Sequence, residues 1–474
     1  MAISHYPLYI NGEWITTDES LDVCDKYKGT VMATVSTADE PTVSRAVESA
    51  KEAFETVKLS PYDRFAILKR TSELLLQNKR ELAELMTGET GKPIGEAAVE
   101  IERTAFTFEV SAEEAKRIHG ETIPVESAPG AENRMAFTIR VPVGVVCAIT
   151  PFNVPLNLVA HKVAPAIAAG NAVVLKPTSA TPLVALELAR LMERAGLPKG
   201  YLNVIVGPGG TIGQWLARDE RISLYTFTGS PEIGLQLKQN TGLRKVLLEL
   251  GSNSAVIVHE DADLELALPL CVAKSFANAG QVCISVQRIY VHDSVKDRFV
   301  SRFVEQARAL KTGSPYDAST QVGPMIGEKE AARAEAWVRE AAEAGAAIEC
   351  GGKREGALME PTVLTGVTDE MKVVCEEIFA PVVTITGYSD LDACIRTVNK
   401  SRFGLQAGIF TRSLDVAFRA AKELHVGGVM INDASQFRAD HMPYGGVKQS
   451  GWGKEGPKYA IAEMTEERIV VFNL

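Results

Sequence analysis

The rhythm of apolar and polar positions changes twice along this chain. Near the start, the runs 8–10 and 13–15 flank Asn11-Gly12, a pair that favours the tight turn of a hairpin. Amphipathic spacing then predicts three helices. One starts at Pro41 and lines up Val43, Ala46, Val47, Ala50, Ala53 and Phe54; a second starts near Ser60-Pro61 and carries Ile67, Leu68, Leu74 and Leu75; a third starts near Lys79 with Leu82, Leu85 and Met86.

From about position 141 the pattern becomes one of apolar runs separated by helical stretches. Strands are predicted at 143–149, 172–175, 202–206, 224–227 and 246–248, with helices at 156–169, 182–195 and 212–217 and another from Pro231. Near-continuous apolar strands that alternate with helices imply a parallel sheet covered on both faces. A second series opens at 255–258, continues through 262–277 and 288–291, and repeats strand and helix to about 431. The expectation is an α/β chain of two doubly wound, Rossmann-like domains: 1–122 with 142–250 as the dinucleotide-binding domain, and 251–445 as the catalytic domain. The stretches 123–141 and 465–474 have β character and stand apart from both series; they are expected to form a small arm available for oligomerisation.

At 474 residues the chain is long enough for two cores. Lys and Arg number 50 against 60 Asp and Glu, without a basic block, so nucleic acid is not expected as a partner. Residues 1–7 lack the basic start and apolar run of a leader, and no stretch approaches the length of a membrane helix, which points to a cytoplasmic protein without membrane contact. Seven dispersed cysteines (24, 147, 271, 283, 350, 375 and 394) contain no Cys-x-x-Cys pair, so neither disulfides nor a metal site is expected.

Cys283 differs from the other cysteines because it follows Asn278-Ala279-Gly280-Gln281-Val282 and not an apolar run. An accessible thiol in such a setting is a candidate nucleophile. Glu249 ends the apolar run of Leu247-Leu248, where a carboxylate acts either as a helix cap or ion-pair partner, or as a general base. In Thr150-Pro151-Phe152-Asn153-Val154-Pro155, two prolines stiffen the exit from a strand and fix the Asn153 amide, as an oxyanion donor requires. Other predicted strand ends carry Lys176-Pro177-Thr178-Ser179 and Phe227-Thr228-Gly229-Ser230 with Gly234; Gly207-Pro208-Gly209-Gly210 is a further glycine-rich loop. Ligands of open parallel sheets bind at such ends, although no G-x-G-x-x-G run is present.

These segments, with Glu249-Leu250-Gly251, Glu376-Glu377-Ile378-Phe379 before Pro381, and Pro443-Tyr444-Gly445-Gly446 before Lys448, Ser450 and Gly451, resemble the aldehyde dehydrogenase superfamily in order and over nearly the whole chain. The resemblance implies that Cys283 attacks an aldehyde, Asn153 and the Cys283 N–H steady the oxyanion, and Glu249 activates the hydrolytic water. It also implies a cofactor site for NADP or NAD made by Thr150, Pro151, Lys176, Thr178, Ser179, Gly209, Phe227, Gly229, Ser230, Gly234, Leu250, Glu377 and Phe379. In that site Lys176 would meet the adenosine ribose, Ser230 the pyrophosphate, Glu377 the nicotinamide ribose, and Phe379 the ring. Family members usually assemble as homodimers or homotetramers.

Three departures stand out. Ser179 occupies a position where many NAD-preferring members have glutamate, so a 2′-phosphate meets no carboxylate and NADP is expected to be accepted. Ser252 and Ala380 each replace a usual glycine. The residues around 431–444, with Asn157 and His161, resemble the lactaldehyde dehydrogenase subgroup, so the expected substrate is a small polar aldehyde. Succinate semialdehyde and glyceraldehyde 3-phosphate are the alternatives. Arg103, Asn157, His161, Arg438 and His441 are the expected substrate contacts, with Arg288 a further cation, whereas Val282 puts no charge immediately before the thiol. A thiol hydrolase would need a histidine partner that no motif supplies, and a silent binding protein would not need the trio of Asn153, Glu249 and Cys283.

Overall fold

The computed structural model describes residues 4–474, so the first three residues of the segment read for a leader lie outside the described residues. The predicted hairpin forms: Leu8–Ile10 pairs antiparallel with Glu13–Ile15, and Asn11 and Gly12 both take positive φ, 53° and 71°, at the turn. The three predicted helices are Glu40–Thr56, Pro61–Gln77 and Lys79–Thr90. Asp39 and Ser60 cap the first two through their side chains, and proline stands in the first turn of each.

An eight-stranded sheet follows the order 451–452, 245–249, 224–228, 145–149, 172–176, 202–204, 8–10, 13–15. The five central strands are parallel; 451–452 and 8–10 run antiparallel to them, and 13–15 reverses direction again beside 8–10. Val145–Ile149 lies in the middle; the chain first adds strands on one side of it, then returns to add Leu224–Thr228 on the other. The crevice at such a reversal, beyond the carboxyl ends of the strands, is where doubly wound sheets bind ligands. A seven-stranded sheet runs 347–350, 362–365, 382–388, 288–292, 255–258, 406–410, 428–431, and only the first of these is antiparallel to its neighbour. Each sheet has its own buried core, and residues 451–464 return to the first: Gly451–Trp452 pairs with Lys245–Glu249, while Ile461 and Met464 join its core.

One feature departs from the sequence reading. Ile94–Ala115, at 22 residues, is a helix that hydrophobic spacing did not predict. Its buried stripe, Ala97, Ile101, Ala105, Phe108, Ala112 and Ala115, is made mostly of alanines and is flanked by buried Glu100, Thr104, Thr107 and Ser111, while Val99 and Phe106 are exposed, so the apolar contrast between its faces is weak. The segments 123–141 and 465–474 share a small sheet of their own: Thr465–Asn473 runs antiparallel to Arg134–Pro142 along its full length, and Thr122–Ile123 borders the other edge. Among the described residues no helix is long and apolar enough to cross a membrane.

The loop after strand Ala172–Lys176 is held from outside its own sheet. Glu89, fully buried at the end of Lys79–Thr90, accepts the N–H groups of Leu183 (2.8 Å) and Val184 (3.1 Å) at the start of the next helix. Those amides have no intrahelical partner, and burial makes an unmet donor costly, about 1–3 kcal/mol. Glu89→Ala is expected to destabilise the fold by about 2 kcal/mol or more and to lower the thermal unfolding midpoint. Glu89→Gln, which keeps one acceptor oxygen, should lower it less; equal midpoints for alanine variant and parent would contradict the capping role.

Candidate active site

The ends of four parallel strands bring the first set of expected residues together. Thr228 lies opposite Glu249, Phe227 opposite Ile149, and Ile149 opposite Lys176, so all these positions share the carboxyl edge of one sheet. Thr150, Pro151 and Asn153 continue from Ile149, and Gly229 and Ser230 from Thr228. Ser230 caps helix Pro231–Asn240, which starts at that edge.

Cys283 comes from the other half of the molecule, in the turn between helix Leu264–Phe276 and strand Arg288–His292. Three successive residues before it, Asn278, Ala279 and Gly280, adopt positive φ of 49°, 54° and 70°. A side chain on Gly280 would put its Cβ 2.0 Å from the Ala380 carbonyl, so glycine is required there. The turn is held by Glu96, whose carboxylate accepts the Asn278 N–H, and by a reciprocal bond to the first sheet. Asn278 Nδ2 donates to the Asn153 carbonyl (3.0 Å), while Asn153 Nδ2 donates to the Gln281 carbonyl (2.9 Å). That second bond fixes the amide and leaves its other N–H available, and Asn153 Oδ1 is buried without a partner among the described residues.

The thiol lies between two cavities that share Cys283, Asn153 and Leu158. One, of about 450 Å³, is lined by Pro151, Gly229, Ser230, Glu249, Leu250, Glu377 and Phe379 among others. The second, of about 430 Å³, is lined by Arg103, Asn157, Lys274, Arg438 and Tyr444 among others. Cys283 Sγ stands 3.0 Å from the Tyr444 hydroxyl. Burial pushes its thiol up to about 12, against lowering contributions from the Tyr444 hydrogen bond and the Arg438 charge. Glu249 is buried, and that desolvation, reinforced by the nearby Glu455, raises its carboxyl well above the ordinary range. One of its oxygens, Oε2, has no partner among the described residues.

Glu377 accepts the Ser252 N–H at 2.8 Å, and burial pushes its carboxyl up to about 7. Ser252 therefore fits without strain where a glycine is usual, and its hydroxyl meets Ser254 at 3.2 Å. Phe379 takes a positive φ of 50° and meets Phe152 edge to face, 5.9 Å between centroids. Away from this cavity's lining, Ser179 Oγ donates to the Gly207 carbonyl at 2.6 Å. Gly209 lies close enough to Lys176 that an added Cβ would be 3.8 Å from the ammonium, whose burial lowers it to about 8. The Thr178 hydroxyl faces its own turn, accepting from the Ala180 N–H. Thr150, Phe227 and Gly234 back the edge: Thr150 has a buried, unpartnered hydroxyl, Phe227 lies under Gly229, and Gly234 abuts Leu250.

Of the expected substrate contacts, Arg103, Asn157 and Arg438 line the second cavity, but His161 and His441 line neither. His161 is buried behind it, its Nε2 3.0 Å from Asp440 Oδ1, and His441 packs edge to face on Phe106. Asp440 also accepts Arg103 through two bonds (2.8 and 3.0 Å) and Asn157 Nδ2 at 2.9 Å; the contact with His161, and after it the Arg103 pair, hold its carboxyl far below the usual range despite burial. Arg438 donates to Glu455 Oε2 at 2.9 Å, and Lys162 to Glu455 Oε1 at 2.9 Å. Arg288 is away from the cavity, bonded to the Asn253 carbonyl.

Sequence reasoning missed Lys162, Asp440, Tyr444 and Glu455 as neighbours of this site. One signal was available for Lys162, a charge within the apolar run 157–169, every residue of which is buried. It also missed Lys274, which is half-buried, lines the cavity beside the thiol and, among the described residues, forms no ion pair through its ammonium. It is one helical position in an otherwise unremarked helix, with nothing local to distinguish it.

Comparison with known proteins extends this geometry. The profile described as "Aldehyde dehydrogenase family" matches residues 14–470. The chain is 57% identical to a 3-sulfolactaldehyde dehydrogenase of Priestia megaterium over 100% of its own length and 99% of that protein's. It is 39% identical to a lactaldehyde dehydrogenase of Methanococcus aeolicus, covering 98% and 100%. Among solved structures, aldehyde dehydrogenase 21 of Physcomitrella patens in complex with succinate superposes with a TM-score of 0.97 at 39% identity, covering 100% of this chain and 99% of that one. Glyceraldehyde-3-phosphate dehydrogenase GapN of Methanocaldococcus jannaschii complexed with NADP gives 0.93 at 38%, covering 97% and 100%. A thiol between two cavities, on a fold shared along its whole length with these enzymes, makes the chain a member of the aldehyde dehydrogenase family.

Proposed function

We propose that this enzyme oxidises a small, polar, anionic aldehyde to its carboxylic acid, with NADP or NAD as hydride acceptor. The observation that carries the reading is the single thiol shared by two cavities, one bordered by Lys92, Arg103, Lys274 and Arg438 together with Glu96 and Glu100, and the other by Glu249, Glu377 and Phe379. The residues of the cavity lined by Glu249, Glu377 and Phe379 fit a dinucleotide. The Thr150 and Thr228 hydroxyls are buried and unpartnered, and a Cβ on Gly229 would meet the Phe227 ring at 2.5 Å, so the strand end presents bare backbone. Pro151, Ser230, Leu250, Glu377 and Phe379 would hold the nicotinamide half, and Lys176, Thr178, Ser179 and Gly209 the adenosine half.

Cys283 attacks the aldehyde carbon, and the free N–H of Asn153 with the Cys283 backbone N–H receives the oxyanion. NADP or NAD, held by Glu377 and Phe379, would supply the acceptor for the hydride that the adduct on Cys283 loses as it becomes a thioester. Glu249 removes a proton from the water that hydrolyses this thioester, releasing acid and thiol. Its oxygen Oε2, buried and without a partner among the described residues, and a carboxyl that burial raises above the ordinary range suit a base that takes a proton from water.

The relatives' named substrates, 3-sulfolactaldehyde and lactaldehyde, share a short polar skeleton. The sulfonated one is favoured here because Lys274 gives the cavity a cation without a carboxylate partner, beside guanidinium groups at Arg103 and Arg438 that Asp440 and Glu455 already bind. Succinate semialdehyde and glyceraldehyde 3-phosphate carry an anion too, and the succinate-bound and GapN neighbours keep them in the panel. The cofactor domain is taken as 1–122 with 142–250 and the catalytic domain as 251–445. The sheet made by 123–141 and 465–474 supports a homodimer or homotetramer, because its side chains Met135, Ile139, Ile469, Val471 and Phe472 are exposed.

Cys283→Ala is expected to abolish nicotinamide reduction with every aldehyde tested. Glu249→Gln should keep a first-turnover burst and lower kcat by about 10²- to 10⁴-fold; an unchanged kcat would remove Glu249 from the hydrolytic step. Both groups act deprotonated and both are raised by burial, so kcat/KM should climb as pH rises from neutral into the alkaline range. Lys274→Met should raise KM for 3-sulfolactaldehyde about tenfold while leaving lactaldehyde nearly unaffected; equal effects on the two would refute the anion-binding role. Ser179→Glu should lower the ratio of kcat/KM for NADP over NAD about tenfold or more.

A further inference from the structure

We propose that the Tyr444 hydroxyl donates a hydrogen bond to the sulfur of Cys283 and thereby favours the thiolate that attacks the aldehyde. The inference rests on the reading of Cys283 as the nucleophile and adds a residue to that site. Tyr444 O and Cys283 Sγ are 3.0 Å apart, and the ring is buried in an apolar nest of Ile284 and Leu405 with Val282 and Met442. Its backbone is locked to Glu455 by two bonds, Tyr444 N to Glu455 O (3.1 Å) and Glu455 N to Tyr444 O (2.7 Å). The hydroxyl is therefore held at the sulfur by packing on one side and by a β-bridge on the other.

Charge around the pair makes a neutral donor useful. Glu249 and Glu377 face the sulfur and oppose a second negative charge there; Arg438 favours it, with Glu455 and Lys162 behind Arg438. The Arg438 guanidinium lies 3.7 Å from the centre of the Tyr444 ring, and a cation on that face withdraws electron density from the phenol, strengthening its O–H as a donor. Burial keeps the phenol protonated, well above its usual range, so it gives a hydrogen bond without giving up its proton. The proton lost on ionisation is the thiol's own, and it leaves to Glu249 or to water. When the C–S bond forms, the sulfur loses its charge and the Tyr444 bond weakens.

The test is the pH dependence of iodoacetamide alkylation at Cys283 in the free enzyme, read on the Cys283 peptide by mass spectrometry. Tyr444→Phe keeps the ring, its packing and the Arg438 stack. It is expected to raise the alkylation midpoint by about one pH unit or more and to slow alkylation at neutral pH about tenfold or more. A lowered midpoint would mean that the hydroxyl accepts from the thiol, and an unchanged one that the bond has no effect; either overturns the proposal. A fluorinated tyrosine placed at 444 preserves the fold even if phenylalanine does not, and its more acidic hydroxyl should lower the midpoint; no shift again overturns it. If Cys283→Ala retained turnover, the nucleophile assignment would fall, yet the alkylation midpoint would still report on the Tyr444 bond.

Discussion

The reciprocal pair of hydrogen bonds between Asn153 and the turn 278–281 is the constraint on which the site depends, because it joins the two sheets at the reacting atoms. Asn153 leaves the first sheet on a proline-stiffened strand exit, and the turn before Cys283 leaves the second sheet's layer through three successive left-handed residues. A backbone in that conformation is costly for Asn278 and Ala279 and holds only where its surroundings enforce it. Here the enforcing contacts are the Glu96 carboxylate, the Asn153 carbonyl and the close approach of Gly280 to Ala380. The thiol and the amide thus arrive at one point as parts of a single rigid joint, which is what preorganised stabilisation of an oxyanion needs.

Behind this joint lies a buried set of charges that is balanced locally. Glu455 accepts from Lys162 and Arg438; Asp440 accepts from Arg103, Asn157 and His161. Buried charges persist only when paired and hydrogen-bonded, so these two carboxylates fix the directions of the cations around them. The result is a substrate cavity whose two arginines are oriented and partly neutralised, with Lys274, which forms no ion pair among the described residues, left to respond to what enters. Glu249 sits at the edge of this set with one oxygen unpartnered, and so differs from Glu455 although both are buried.

Much of the fold could be read from hydrophobic rhythm, because the central strands of both sheets are buried on two faces and must be apolar along their length. The helix Ile94–Ala115 was not, since its buried stripe is mostly alanine, with buried Glu100, Thr104 and Thr107 beside it and Val99 and Phe106 exposed on the other side, so hydrophobicity distinguishes its faces only weakly. The segments near 123–141 and 465–474 were visible as strands, but their partner was not: period two fixes which side chains share a face and says nothing about which edge another strand will meet. In the site, Asn153 and Glu249 stood out because each is a polar residue at the end of a stiffened or apolar run, and Cys283 because it follows small and polar residues where the other cysteines sit among apolar ones.

The amino-acid sequence by itself determined the α/β alternation, the strand ends that carry Thr150, Lys176, Gly229 and Glu249, and the family to which the motifs belong. Only the tertiary structure decided that His161 lies behind the cavity, that Asp440 ties Arg103 in place, that Lys274 faces the thiol's cavity, and that Tyr444 touches the sulfur. The physical reason is range. Periodicity and turn chemistry act over a few residues, whereas these contacts join side chains 161 to 337 positions apart, and their burial and pairing exist only once both sheets have packed.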